Sequence, residues 1–205
     1  MLPVAALIWL DTDMLQWMVP AILFGTYLIN GMLFMAGLVL LERSEGTLQA
    51  LAVSPLRTHQ YVIAKIASLC LLSLAESVLI TVLLGVSINN LFTLMLGVVV
   101  ATTMLAAFGL MLAIRYRSIN ELLMPAVGWG MLSQLPLLPY FHIGDYWFAW
   151  LHPLHPALVL LESGVDIVPL WEQLLAVGLG LVGVLLSTYL AVKAMRGFMV
   201  GGASK

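Results

Sequence analysis

One carboxylate stands where chemistry would be costly to maintain without purpose: Glu76 lies near the middle of the long apolar run from residue 60 to 86. A charge at that depth costs about 3 kcal/mol or more unless it is paired, protonated or facing water. Two chemistries follow. Glu76 serves a substrate path or a proton relay, with Tyr27, Asn30 and Gln134 as further polar groups in apolar surroundings that could line a path. Or it is a protonated glutamate hydrogen-bonded to Ser73, Ser77 or a neighbouring helix. His152-Pro153-Leu154-His155-Pro156 suggests a metal clip at first sight, but no carboxylate or cysteine stands beside the two histidines, and the prolines favour a rigid turn. The expectation is therefore no metal site. The single cysteine, Cys70, sits inside an apolar run, which argues against disulfides and cysteine-ligated metals. No histidine falls at mid-run, which weakens haem-binding and intramembrane-protease readings.

The elements that must position these groups are spanning helices. Of the 205 residues, 62% are hydrophobic and only 9% charged, and the mean hydropathy is +1.08, far above an ordinary soluble domain. The apolar residues come in runs of about 20 or more rather than in alternation, which selects helices over a barrel. Five runs reach spanning length, at about 14–41, 60–86, 91–114, 119–139 and 170–195, so the fold expected is an all-α integral membrane bundle forming one domain over 1–205. The fourth run carries Pro125, Pro136 and Pro139 and should kink and then stop. Residues 140–169, too short in their apolar stretch to span and rich in aromatics, read as an outer re-entrant segment of short helices near the interface. The first ten residues are apolar but lack a positive leader and meet Asp11 and Asp13, so they read neither as a signal peptide nor as a span. Gly178, Gly180, Gly183, Gly128 and Gly130 allow close helix approach, and Met14, Met18, Met32 and Met35 read as packing filler rather than ligands.

Charge sets the orientation. If residues 42–59 face the cytoplasm, all eight basic residues, Arg43, Arg57, Lys65, Arg115, Arg117, Lys193, Arg196 and Lys205, fall on that side, with Lys65 snorkelling. Asp11, Asp13, Asp145, Glu162, Asp166 and Glu172 then face outward. This places the N-terminus outside and the C-terminus in the cytoplasm. The net charge of -2 is uninformative by comparison, and no basic surface for nucleic acid is apparent.

A charged island separates the first two runs: Glu42, Arg43 and Glu45, then Gly46-Thr47-Leu48-Gln49, and beyond Leu51 and Val53 the sequence Ser54-Pro55-Leu56-Arg57. Ser54 suits a helix N-cap and Pro55 the first helical position, so the geometry is a helix, a break and a new helix. At these residues the chain resembles the ABC-2 type permeases, the integral membrane subunits of a class of ABC exporters. The pattern appears here as Glu45-Gly46-Thr47-Leu48-Gln49 and Ser54-Pro55-Leu56, with Gln49 in place of the usual glutamate, and the resemblance extends to about residue 198. It is closest to the small drug-export permeases described as fluoroquinolone exporters.

The resemblance implies a coupling helix over about 42–53, with Glu42, Glu45, Gly46, Thr47, Leu48, Gln49, Pro55 and Arg57 docking onto a separate ATP-binding subunit. That subunit would bind ATP and Mg, since the chain has no phosphate-binding loop of its own and is not expected to be an enzyme. The resemblance further implies a second permease copy, residence in the plasma (inner) membrane and outward movement of a hydrophobic or amphipathic substrate. Members of this family have six spans, so the first span is expected to be missing here. Two other functions compete: a proton-coupled secondary transporter built on Glu76, and a non-transporting membrane assembly or immunity protein.

Overall fold

The computed structural model describes residues 12–48, 57–143 and 149–202. The docking residues Gln49 and Pro55, residues 49–53 of the expected coupling helix, the stretch 144–148 and the apolar start lie outside the described residues. Those described are helical: α1 (Thr12–Tyr27), a π-helix π1 (Leu28–Phe34), α2 (Met35–Ser44), α3 (Thr58–Leu84), α4 (Leu91–Arg115), α5 (Ile119–Ser133), α6 (Leu137–Tyr140), α7 (His155–Val165) and α8 (Leu170–Gly202). No strand occurs among them, and the all-α membrane bundle expected from the sequence is what forms.

Local signals fix the ends. Asn90 accepts the N–H groups of Phe92 and Thr93 at the start of α4, and the Ser118 hydroxyl accepts that of Glu121 at the start of α5. The backbone N–H of Arg57 donates to Gln60 Oε1 at the start of α3 (3.1 Å), and α3 stops at Gly85, whose φ of 64° closes the last turn. The basic residues Arg43, Arg57, Arg115 and Arg117 lie at helix ends that come together. Arg43 donates to the Tyr116 carbonyl (3.2 Å) and stacks over Phe198 near the end of α8 (4.9 Å).

Four helices are long and apolar enough to cross a membrane: Gln16–Ser44 (running through π1), Thr58–Leu84, Leu91–Arg115 and Leu170–Met199. The fifth expected span, 119–139, differs. Its helix continues through Pro125, ends at Ser133 after 15 residues and resumes as α6 beyond Pro136. At 1.5 Å per residue α5 alone covers roughly 22 Å, short of a full core. The interrupted segment nevertheless traverses the bundle, because its start lies beside Leu40, Leu41 and Ser44 at the basic end while its last residues reach the other end. There Tyr140 donates to the Trp17 carbonyl (2.6 Å), and its ring stacks on Trp17 (5.7 Å).

The core centres on α4, whose apolar window is 67% buried, against 28% for α3 and 17% for α8. Small residues on α4 permit this. A side chain on Gly97 would meet the backbone of Leu160 and Leu161 in α7, and one on Gly109 would meet the backbone of Met32 in π1. The re-entrant stretch proves to contain a short helix, α7, enclosed by α1, α4 and α8, with ten of its eleven residues buried. Its end is tied down by Gln16 Nε2 donating to the Val165 carbonyl (2.8 Å) and by Asn89 and Asn90 N–H groups donating to the Gly164 carbonyl. A helix too short to span is tolerated at this depth because protein surrounds it. The glycines singled out from the sequence divide: Gly180 and Gly183 face Val100 and Met104, Gly130 faces Leu28, and Gly128 and Gly178 face open space.

Candidate functional site

Two polar clusters stand out against the apolar bundle. The first is at mid-span. The end of α1 and the π-helix that follows place Tyr27 and Asn30 against α3, where Asn30 Nδ2 donates to Glu76 Oε2. The Tyr27 side chain is fully buried, and its hydroxyl lies toward Ser77 and Glu76 without the geometry of a hydrogen bond to either. Ser73, one turn before Glu76 on the same helix, is also fully buried with its hydroxyl unpartnered. Neither Ser73 nor Ser77 therefore holds the carboxyl; Ser77 donates instead to the Leu74 carbonyl (2.8 Å). Tyr27, Asn30 and Glu76 are brought together, whereas Gln134 is not. Its side chain lines a separate, largely apolar cavity of about 470 Å³ between π1 and α5, beside Leu28, Met32 and Gly130.

The π-helix accounts for the difference. A π turn carries one residue more per hydrogen-bonded ring than an α turn and so rotates the faces of the helix that follows. Here it turns Asn30 toward α3 while the adjacent Gly31 packs against Thr102 and Leu105 of α4. Sequence periodicity alone carried no signal for this.

The second cluster flanks the charged connection. Glu42 is partly buried and engaged: it pairs with Lys65 and accepts the Tyr61 hydroxyl, joining the end of α2 to the first turns of α3. Lys65 therefore does more than snorkel. Beyond it the chain turns at Gly46, whose φ of 75° is the left-handed conformation glycine adopts cheaply. Glu45 and Thr47 are exposed, Leu48 is buried and Arg57 is exposed at the start of α3. Of the docking residues expected, the described ones thus divide into a brace, Glu42, and an accessible edge, Glu45, Thr47 and Arg57.

Both histidines of the pair are engaged by the protein itself. His152 Nε2 lies 3.1 Å from the Leu132 carbonyl and Nδ1 accepts the Leu154 N–H (3.2 Å), so both ring nitrogens are engaged. His155 packs edge-on against Trp150 (4.8 Å). Among the described residues no three His, Cys, Asp or Glu side chains converge to hold a metal ion.

Titration around α7 has a definite sign. Burial, helped by the nearby Asp166 and Glu172, raises the Glu162 carboxyl from 4.5 to about 7. Burial, helped by His152, lowers His155 from 6.5 to about 4. A raised carboxyl means the folded state holds its proton more tightly, so that contribution is full below pH 4.5 and is lost as pH rises through about 7. The histidine acts oppositely: its contribution is full above pH 6.5 and is lost as pH falls toward 4. The two slopes oppose each other across the same window. Thermal unfolding from pH 4 to 8 is expected to show stability rising with pH in Glu162→Gln, and falling with pH in His155→Asn. Identical profiles for both variants and the parent would contradict this.

The comparisons with known proteins bear on the whole bundle. A model of the Fluoroquinolones export permease protein family matches residues 1–202. The chain belongs to this family. The permease is also 27% identical over 163 residues to Fluoroquinolones export permease proteins of two Mycobacterium tuberculosis strains, CDC 1551 / Oshkosh and ATCC 25618 / H37Rv. Each match covers 75% of this chain and 66% of the relative, so the permease spans just under two thirds of the curated proteins it matches. No solved structure gives a significant match. The family match and the four long apolar helices together make this a multi-pass membrane protein of the export permease family.

Proposed function

We propose that this permease is the membrane subunit of an ABC-2 type exporter, driven by ATP hydrolysis on a separate cytoplasmic subunit that binds ATP and Mg. It works with a second permease copy in the plasma (inner) membrane, its basic end and C-terminus toward the cytoplasm. The permease itself carries out no chemical step. Its cargo is a hydrophobic or amphipathic molecule moved outward, in keeping with the fluoroquinolone export for which its relatives are named.

The observation that carries this reading is the brace beneath the charged connection. Because Glu42 is tied to Lys65 and Tyr61, the two helices that enter and leave the connection are joined at its base. A partner that grips the exposed edge at Glu45, Thr47 and Arg57, together with Leu48, Gln49 and Pro55, would therefore move α2 and α3 as one body. Rigid-body motion of packed helices is how a local push becomes a change of access.

Affinity purification from the native host in mild detergent tests it. An ATP-binding subunit is expected with the wild-type permease and is expected to be lost with Glu45→Lys, whose side chain is exposed and whose replacement leaves the brace intact. Gly46→Pro should give the same loss, since proline cannot adopt a φ of 75°. Recovery of no ATP-binding subunit with any form would overturn the reading.

A further inference from the structure

Among the described residues no cation pairs with Glu76. The one salt bridge among them is Lys65 with Glu42. Lys65 lies on the same helix as Glu76 but eleven residues away, roughly 16 Å along the axis. Asn30 donates to one carboxylate oxygen and brings no charge. On the core side of this carboxylate two hydroxyls lack a hydrogen-bond partner, those of Tyr27 and Ser73, both on fully buried side chains. Buried polar groups ordinarily find partners, and those that do not call for an explanation. Glu76 itself is only half-buried. It lies between the core face of α3, marked by Ser73 and Ser77, and an apolar outer face where Leu72 and Leu79 are about half exposed, at 47% and 57%. A ligand could reach it sideways from the hydrocarbon without crossing the packed core.

From these observations we infer that Glu76, held by Asn30, forms a binding point for a lipophilic organic cation, an inference that rests on the permease reading and assigns its cargo a charge. The carboxylate supplies the counter-charge, and in hydrocarbon a paired carboxylate and cation avoid the cost each would incur alone. Asn30 orients the carboxylate through one oxygen and leaves the other for the ligand. The apolar body of the ligand lies against the outer face of α3.

The test uses the full chain in phosphatidylcholine nanodiscs with two probes matched in size and shape and opposite in charge, tetraphenylphosphonium and tetraphenylborate, measured against empty discs. Saturable tetraphenylphosphonium binding is expected, weakened at least tenfold in Glu76→Gln, with tetraphenylborate not weakened. Asn30→Asp adds a second acid at the same place and is expected to strengthen cation binding several-fold, so the inference stays open to refutation even if Glu76→Gln does not fold. Equal tetraphenylphosphonium binding by wild type and Glu76→Gln, or the same loss of both probes, would overturn it. So would unchanged binding in Asn30→Asp. No ATP or partner enters this assay, so a negative result leaves recovery of an ATP-binding subunit as a separate matter, and failure of that recovery leaves the binding data readable.

Discussion

Replacing Gly109 with alanine is expected to lower the thermal unfolding midpoint of the purified permease by about 5–10 °C. The new methyl group would sit 2.2 Å from the Met32 carbonyl oxygen and 2.9 Å from its carbonyl carbon and Cα. All three are backbone atoms, so no rotamer change relieves the clash and α4 must move away from π1. Overpacking of this kind costs about 1–3 kcal/mol and occasionally more, and for a chain of this size each kcal/mol is worth roughly 2–4 °C. Gly97→Ala should act in the same direction, since its methyl would meet the Leu161 backbone nitrogen at 2.8 Å. Gly128→Ala is the control: nothing lies within 4 Å of the position, and alanine is the better helix former. Equal midpoints for Gly109→Ala and Gly128→Ala would refute the close crossing of α4 and π1. Because π1 also carries Asn30, separation of these two helices should disturb the mid-span cluster as well.

On the proposed function, Lys65→Glu is expected to reduce ATP-driven export at least tenfold, and in any case to destabilise the permease by about 2–3 kcal/mol. Glu42 and Lys65 are each 20% exposed, between a surface pair, worth about 0–1 kcal/mol, and a fully buried one, whose breaking costs about 3–5. The substitution sets two carboxylates face to face at the joint between α2 and α3 and takes away the cation that neutralises Glu42. The exchange Glu42→Lys with Lys65→Glu should recover part of both properties. Recovery should be incomplete because lysine cannot accept the Tyr61 hydroxyl that Glu42 accepts. Measured export in vesicles carrying the proposed ATP-binding subunit, read beside unfolding midpoints, separates this brace from the accessible edge. Glu45→Lys should abolish export with little change in stability. If the single and exchanged variants behave alike, the pair does not brace the joint.

Much of the architecture was legible because membrane insertion writes itself into composition. A span must be long, apolar and internally hydrogen-bonded, so run length alone located α3, α4 and α8 to within a few residues at most boundaries, though α8 runs on to Gly202. The prolines of the fourth run forecast an interruption, which falls at Pro136 while Pro125 is accommodated inside α5. The motif from Glu45 to Pro55 pointed to the family that residues 1–202 match. Glu76 was legible as an anomaly, yet neither serine of its own helix proved to be its partner; Asn30 from another helix is.

What the sequence by itself determined is the solvent of this chain, its helical class, the gathering of its basic residues at one end and the family to which it belongs. These rest on hydropathy, charge and local motif, which each segment carries independently of its neighbours. What only the tertiary structure decided is who meets whom. The windows of α3, α4 and α8 share a mean hydropathy of 2.2, yet α4 is the buried centre and α8 lies at the periphery. Hydropathy measures transfer from water, and it cannot tell lipid from protein interior because both are apolar. The choice between them is made by steric fit, through Gly97 and Gly109 on α4 and Gly31 and Gly164 opposite. The same fit sets π1 against α4, and that in turn aims Asn30 at Glu76 and Glu42 at Lys65 across distances in sequence that no local pattern records.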